Sequence, residues 1–593
     1  MSRRTLHTRL ADHGESVSRS LERAADEELV RRVWDEDHTL WDPDPQEIAD
    51  RLGWLRVADA MTGEAASLQT FSREVLESGI EQVVLLGMGG SSLAPELFSR
   101  VFGHRGGEPE GGEEVVGSRQ AGPGLPLGVV DSTDPEEVAR WEEGIPLSST
   151  LFLVSSKSGS TVETLSLFKY FYNRVAEGLG PEQAGPRFAA VTDPGSRLAE
   201  MGSELGFREV FLNDPDIGGR YSALSFFGLV PAVLCGVRLQ PLLERARAGA
   251  RACGPEVPVG ENPGLELGVI LGTLAREGCD KLTLTVSEAI APFASWAEQL
   301  IAESTGKSGK GILPVVGEPL GPPGTYGPDR LFVDLALPGD GARDAALDEL
   351  AEAGHPVVRL EVEDLYDLGR HFFLWEFATA VAGWRMGIQP FDQPDVEAAK
   401  VRAREMLDRY RAEGCLPAAE PLTADGGVAL YADPDDLGRG GDEDPARTPS
   451  SAAEGLQTFI DQAGAGRYLA LQAYLPKLPA YEHALERLQE KLRDLTGCPV
   501  TWGWGPRYLH STGQLHKGDG GEGLFIQITA EHRRDVPIPD EAGSAASRVG
   551  FGALIDSQAL GDRRALHEAG RQVIRLHLEE DPEGALEALA VTD

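Results

Sequence analysis

Three segments hold the residue types that acid–base chemistry on an anionic substrate needs. In Trp296–Lys310 (WAEQLIAESTGKSGK), Gln299 and Glu303 stand four apart and share a helix face. Glu303 falls where Ser-Thr-Gly breaks the helix, and a carboxylate set against the negative end of a helix dipole is a stronger base, as a general base requires. The competing reading is an i, i+4 ion pair with Lys307. In Trp502–Gly518 (WGWGPRYLHSTGQLHKG), His510 and His516 lie in a polar loop after a strand-like run, the setting of an active-site loop, although single histidines are more often structural. In Pro390–Lys400 (PFDQPDVEAAK), Pro394 suits a first helical turn. Gln393 and Lys400 follow two turns apart on one face, with an i, i+3 pair from Lys400 to Glu397 as the alternative.

Three further segments suit a phosphate or another anion. Gly87-Met-Gly-Gly-Ser-Ser92 joins the apolar run QVVLL to the helical stretch LAPELFSRVF. Exposed N–H groups at a helix start bind phosphate, Gly90 permits close approach, and Ser91 adds a hydroxyl. A dinucleotide turn competes, but GxGxxG needs glycine at 92, which is serine, and Asp131 lies far beyond the usual spacing of about 20 residues for a ribose-binding acid. A plain strand–helix turn is the third reading. The segment SSKSGSTVET (155–164) places hydroxyls, one glycine and one lysine at another helix start. Capping takes one hydroxyl. The surplus at Ser156, Lys157, Ser158 and Thr161 points to an oxyanion with several oxygens, and a capping box with Glu163 explains only part of it. Arg220, in DIGGRYSALS (216–225), sits at a helix start where a cation is disfavoured. Its partner is Asp214, Asp216, a substrate anion or an enediolate.

These motifs together resemble the phosphoglucose isomerase family. GMGGSSLAPELF resembles its first glycine-rich signature and SSKSGSTVET its phosphate loop; GGRYSALSFFGL, AEQLIAESTGKSGKG, FDQPDVEAAK and GPRYLHSTGQLHKG resemble four further motifs. The likeness runs from about residue 80 to the C-terminus, and is nearest to the isomerase half of fused transaldolase–phosphoglucose isomerase chains. A transaldolase barrel would need hundreds more residues, so that activity is not expected. The resemblance implies an aldose–ketose isomerase for glucose 6-phosphate and fructose 6-phosphate, without metal or organic cofactor. Gly90, Ser91, Ser156, Lys157, Ser158 and Thr161 would hold the sugar phosphate, and Gln299 and Gln393 would position the sugar. Glu303 would move a proton between C2 and C1 through a cis-enediol. Arg220 would stabilise the enediolate, and His510 with Lys400 would open the ring. Two features depart from the family. The order here is Glu303, Lys400, His510 where the family has Glu, His, Lys, and Asp395 stands where glycine is usual. His371, on the helix before Lys400, is the fallback ring opener. Alternatives are a dual phosphoglucose/phosphomannose isomerase, a non-catalytic sugar-phosphate-binding protein, and a nucleotide-dependent oxidoreductase.

The elements that must position these residues are α/β. Residues 1–80 read as helical and amphipathic. Apolar runs alternating with helical periodicity follow in three sets: 82–88 to 210–212, 282–286 to 357–362, and 468–475 to 573–578. Tyr221–Val237 reads as a long buried helix and His371–Met386 as another. The runs read as two α/β domains, the second completed by the C-terminal segment, and the resemblance implies that these are sugar-isomerase (SIS) domains, each a parallel sheet flanked by helices. The expected spans are an N-terminal helical segment at 1–50, the first domain at 51–240, the second at 241–432, a flexible linker at 433–456 and the completing part at 457–593. Gly103–Pro126 and Asp433–Glu454 read as surface insertions.

Composition limits the partners. The 593 residues carry 95 Asp+Glu against 55 Lys+Arg, a formal charge of −40. That argues against binding nucleic acid or an anionic membrane. No run reaches the roughly 18 apolar residues of a membrane span, and the N-terminus lacks a signal-peptide core. Five scattered cysteines without CxxC fit a reducing cytoplasm and argue against zinc. The expected partner is a small sugar phosphate, and the resemblance implies a homodimer. Only nine lysines occur, five of them (157, 307, 310, 400, 517) inside the motifs above. Where arginine replaces lysine so widely, each remaining lysine is a candidate for a compact, movable charge.

Overall fold

The computed structural model describes residues 6–103, 121–417, 419–438 and 449–591. The chain opens with strand β1 (Leu6–Arg9), where the sequence reads as helical; Leu6 is buried and pairs with Leu360 across the edge of the second sheet. The helices Gly14–Asp26 and Val57–Glu77 follow.

The first sheet holds β2 (Gln82–Gly87), β3 (Leu127–Val130), β4 (Thr150–Ser155), β5 (Phe188–Thr192) and β6 (Glu209–Leu212), in the order β3-β2-β4-β5-β6 and parallel throughout. Along β2, Val83 and Leu85 enter one core cluster and Val84 and Leu86 another, as a parallel strand covered on both faces requires. Each such side chain, fully buried, contributes about 1.5–3 kcal/mol relative to exposure. Helix α1 (Leu93–Phe102) follows β2 and α2 (Val162–Leu179) follows β4. The chain steps from β2 outward to β3 and back past β2 to β4. The carboxyl ends of β2 and β4 therefore flank a topological switch point, the crevice where ligands bind in open α/β sheets.

The second sheet has the order β1-β10-β9-β7-β8, with β7 (Lys281–Val286), β8 (Leu313–Val316), β9 (Arg330–Ala336) and β10 (Val357–Glu361) parallel and β1 antiparallel at the edge. Helix α3 (Pro292–Thr305) follows β7, and the almost wholly buried α4 (Leu368–Met386) follows β10. One continuous apolar core joins these two domains. Helix α5 (Val396–Glu413) leaves them for the C-terminal region.

The C-terminal region does not complete the second sheet, contrary to the sequence expectation. It builds a third sheet of its own with a separate core. Its strands are β11 (Thr423–Asp425), β12 (Val428–Tyr431), β13 (Tyr468–Tyr474), β14 (Val500–Trp504), β15 (Gly523–Ala530) and, after the small hairpin β16 (Pro537–Ile538) and β17 (Val549–Gly550), β18 (Gln572–Leu578). The order is β11-β12-β18-β15-β13-β14, parallel from β18 to β14. The four parallel strands repeat the second sheet's pattern: the first at the centre, the second outside it, then the third and fourth on the other side. Helices α6 (Pro479–Thr496), α7 (Gly513–Gly518) and α8 (Phe551–Glu568) belong to this region.

Of the two expected insertions, residues 104–120 and 439–448 lie outside the described residues. The remainder of the expected linker is ordered: Pro434–Leu437 forms a capped helical turn and Ala452–Ile460 a helix. No described helix is long and apolar enough to cross a membrane.

Candidate active site

The two glycine- and hydroxyl-rich turns meet at the first sheet's switch point. The turn after β2 is a short 3-10 segment, Gly89–Ser91. A side chain at Gly90 would put Cβ 2.0 Å from the Gly219 carbonyl oxygen, so only glycine lets this turn lie against the segment bearing Arg220. The turn after β4 places Ser158 and Ser160 in the open, while Ser156 is buried and shares a 3.0 Å hydrogen bond with Thr161. Thr161 is the N-cap of α2 but makes no side-chain capping bond. The surplus hydroxyls at this helix start are thus not spent on capping, which leaves the dipole end as an anion site. Lys157 turns elsewhere: its ammonium donates to Asp193 at 2.5 Å and to the Pro215 carbonyl at 2.8 Å, against its expected hold on the phosphate. The dinucleotide alternative loses its acid, because Asp131 is buried in ion pairs with Lys477 and Arg507.

Helix α3 brings Gln299 and Glu303 to this crevice, both buried. Gln299 Nε2 donates to Glu303 Oε2 at 3.1 Å and to the His510 carbonyl at 2.8 Å. Gln299 Oε1 is buried without a partner, an acceptor open to a ligand hydroxyl. Arg220 Nη1 lies 3.6 Å from Glu303 Oε1. Its other nitrogens donate to Ser304 Oγ at 2.8 Å and to the carbonyls of Pro390 and Asp392 at 2.7 and 2.9 Å. Arg220 does not open a helix; it sits in the 3-10 turn Gly219–Tyr221, and the following helix is only Phe226–Leu234. Its charge faces Glu303 rather than Asp214 or Asp216, the structural partners among the alternatives. Lys307 does not pair with Glu303 as the bland reading had it. Its ammonium bonds Asp392 Oδ1 at 2.6 Å and the Asp392 carbonyl at 2.7 Å. Burial, with Arg220 nearby, pulls its pKa down to about 8.

His510 arrives from the third sheet, on the turn Arg507–His510. Its Nε2 lies 3.2 Å from Glu163 Oε1 at the start of α2. Burial alone would raise the Glu163 pKa. The neighbouring His510 ring and its hydrogen bond outweigh that, with help from Lys400, and the pKa falls below the usual carboxylate value. Gln558 of α8 donates to the same Glu163 oxygen at 2.6 Å and accepts from Thr133 at 2.8 Å. The sequence reading left Glu163 as a capping residue and missed Gln558, which shares no motif with it.

Lys400 lies on α5 and is 40% exposed, with its ammonium on Glu397 at 2.7 Å, the pairing weighed against a catalytic role. Gln393 is half-buried in the turn before α5. Asp395 does not face Lys400's charge. Its carboxylate accepts from Gln514 at 2.6 Å, and Gln514 also bonds the Asp395 and Val396 amides and the Gly306 carbonyl. This fully buried amide clamps the histidine loop to the end of α3 and the start of α5, a role no spacing in the sequence announces. His371, the fallback ring opener, is excluded by position: it is buried on α4, hydrogen-bonded to the Glu361 carbonyl at 3.2 Å and packed edge-on to Phe293. Desolvation pulls its pKa down. His516 likewise stays in an aromatic core with Tyr468, Tyr508 and Phe525.

Known proteins resemble this chain in sequence and in fold. Residues 65–311 match the family model "Phosphoglucose isomerase". The chain is 29% identical to the glucose-6-phosphate isomerase of Rubrobacter xylanophilus over 62% of this chain and 91% of that protein. It is 26% identical to that of Streptococcus pyogenes over 64% and 90%. Among solved structures, a hypothetical protein of Thermus thermophilus shares the fold with a TM-score of 0.56 at 24% identity, covering 68% of this chain and 99% of that one. A glucose-6-phosphate isomerase of Chlamydia trachomatis does so with 0.54 at 19%, covering 67% and 86%. The comparisons support the resemblance to phosphoglucose isomerases read from the motifs, with the family model ending at residue 311, and none of them bears on the fused transaldolase chains.

Proposed function

We propose that this chain, a phosphoglucose isomerase by its sequence and fold, interconverts glucose 6-phosphate and fructose 6-phosphate. The observation that carries the reading is the convergence of Glu303, Arg220 and the Glu163–His510 pair on the first sheet's switch-point crevice, beside an uncapped helix start rich in hydroxyls. The 6-phosphate lies on the Gly89–Ser91 turn and the N-terminus of α2, held by Ser91, Ser156, Ser158 and Thr161. The closed sugar is opened by His510. With Nε2 bonded to Glu163, Nδ1 is the atom that faces the sugar, passing a proton between the ring oxygen and the anomeric hydroxyl. Glu303 then takes the proton from C2 and returns it to C1, and Arg220 stabilises the enediolate charge between these steps. Gln299 holds the base with its amide and offers Oε1 to a sugar hydroxyl. Lys400 and Gln393 border the crevice on the α5 side. A protein that only senses the sugar would not need a buried base beside an arginine or an ionised carboxylate behind an imidazole.

The chain would work in the cytoplasm, which suits its five free cysteines, and as a homodimer. Purified protein is expected to convert fructose 6-phosphate in a coupled assay and to exchange the C2 proton with solvent. Glu303→Gln should lower kcat by on the order of 10²–10⁴-fold with little change in KM. Full activity in that variant would sink the mechanism.

A further inference from the structure

A second cavity, of about 260 Å³, opens between α1, the first half of α3 and the third sheet. It adjoins the isomerase crevice without sharing its residues: neither Gln299 nor Glu303 lines it, although Ser295 on its wall stands one turn before Gln299 on α3. Trp502 and Trp504, two residues apart on β14, set their rings at 90° with centroids 5.5 Å apart and form an aromatic corner. Across from them stand Glu482 and Glu486 on α6, and Glu298 closes the α3 side. Among the described residues these three carboxyls have no ion pair. The two arginines at the cavity are already engaged: Arg507 with Glu96 and Asp131, Arg100 with Glu96. The wall also contains His516, 3% exposed, whose Nε2 has no hydrogen-bond partner. Its Nδ1 has only a long, 3.5 Å contact to Gln472.

These groups define the ligand's chemistry. Glu482 and Glu486, unpaired on α6, repel phosphate, so this is not a second phosphosugar site. His516 Nε2 is a donor in one tautomer and an acceptor in the other, and a hydroxyl satisfies both. Hydroxyls also donate to the carboxyls, and the C–H face of a sugar ring packs on an indole face. The volume falls just short of the about 300–1,000 Å³ that hold drug-sized ligands, which suits one ring and not a chain of them. We propose that this cavity is a binding site for an uncharged monosaccharide or polyol. Because α3 and the His510–Thr512 segment wall both sites, its occupancy would change isomerase kinetics; that coupling, but not the binding, rests on the proposed activity.

The test titrates the full chain, kept in a saturating equilibrium mixture of the two sugar phosphates, with glucose, mannose, fructose and sorbitol. Putrescine and inorganic phosphate are the charged controls, and tryptophan fluorescence and calorimetry the readouts. At least one neutral ligand should give a saturable signal that the sugar phosphates do not displace. Trp504→Ala and the surface change Glu486→Gln should each weaken it at least about tenfold while leaving kcat/KM within about twofold. The two variants guard against misfolding in either one. The proposal fails if no neutral ligand saturates up to on the order of 100 mM, if putrescine or phosphate binds in its place, or if the signal survives both substitutions.

Discussion

Glu163 shows how a residue's role depends on its neighbours in space. In sequence it is an acid in a first helical turn, where capping accounts for it. In the fold it shares a hydrogen-bonded pair with His510, 347 positions away, and one of its oxygens also takes Gln558. Replacing Gln558 with leucine removes a bond to a charged oxygen without touching the sugar. The expected result is a kcat about tenfold lower, with KM nearly unchanged, measured by steady-state kinetics. By contrast, Glu303, Gln299, Arg220 and Ser156 could be proposed from the sequence because each sits in a short motif whose chemistry is local. Lys157 and Lys400 carried the same kind of signal but are held by Asp193 and Glu397, and no pattern of spacing distinguishes a lysine over a ligand from one over a carboxylate. Glu298 gives a pH prediction. Its ordinary value is 4.5, and burial, opposed only by Arg507, pushes it up to about 8. The unfolded chain releases this proton near 4.5 and the folded one near 8, so stability falls as the pH rises between those values. Thermal unfolding should show Glu298→Gln gaining on the parent protein from pH 5 to pH 8, with no such gain below pH 4.5.

Elements decide where the chemistry can gather. The strand runs of the first sheet were legible almost to the residue, because parallel strands buried on both faces read as unbroken apolar runs. The helix expected over Tyr221–Val237 was not, since an apolar stretch does not reveal that Gly218 and Gly219 hold Arg220 in a separate tight turn first. That turn and the Gly89–Ser91 turn meet with no room between them. Gly90→Ala would drive a methyl group into the Gly219 carbonyl and push Arg220 away from Glu303. The expected cost is about 1–3 kcal/mol of stability, read from denaturant unfolding, together with a loss of activity larger than the stability change explains.

For the whole molecule, the third sheet was the largest surprise. Its strands were visible as a third set of apolar runs, but nothing in the runs says which sheet they join. The separation rests on pairing: β13 bonds β14 and β15, and none of the three bonds β7–β10. The net charge of −40 belongs to the same scale. The crevice gathers Arg220, His510 and a helix N-terminus, so the acidity lies elsewhere, on a surface that self-repels at low salt. Raising KCl to on the order of 1 M screens that repulsion, and isomerase activity should rise; flat or falling activity would count against a salt-adapted surface. The third sheet also bears on how the protein is made. The phosphate turns and Glu303 leave the ribosome early, but His510 and the Gln558 that steadies its partner come from the last sheet to be translated. On the proposed mechanism, a nascent chain would carry the parts that grip a sugar phosphate long before those that open the ring. Catalysis would then begin only once the third sheet is made, and an interrupted translation product would sequester substrate without turning it over.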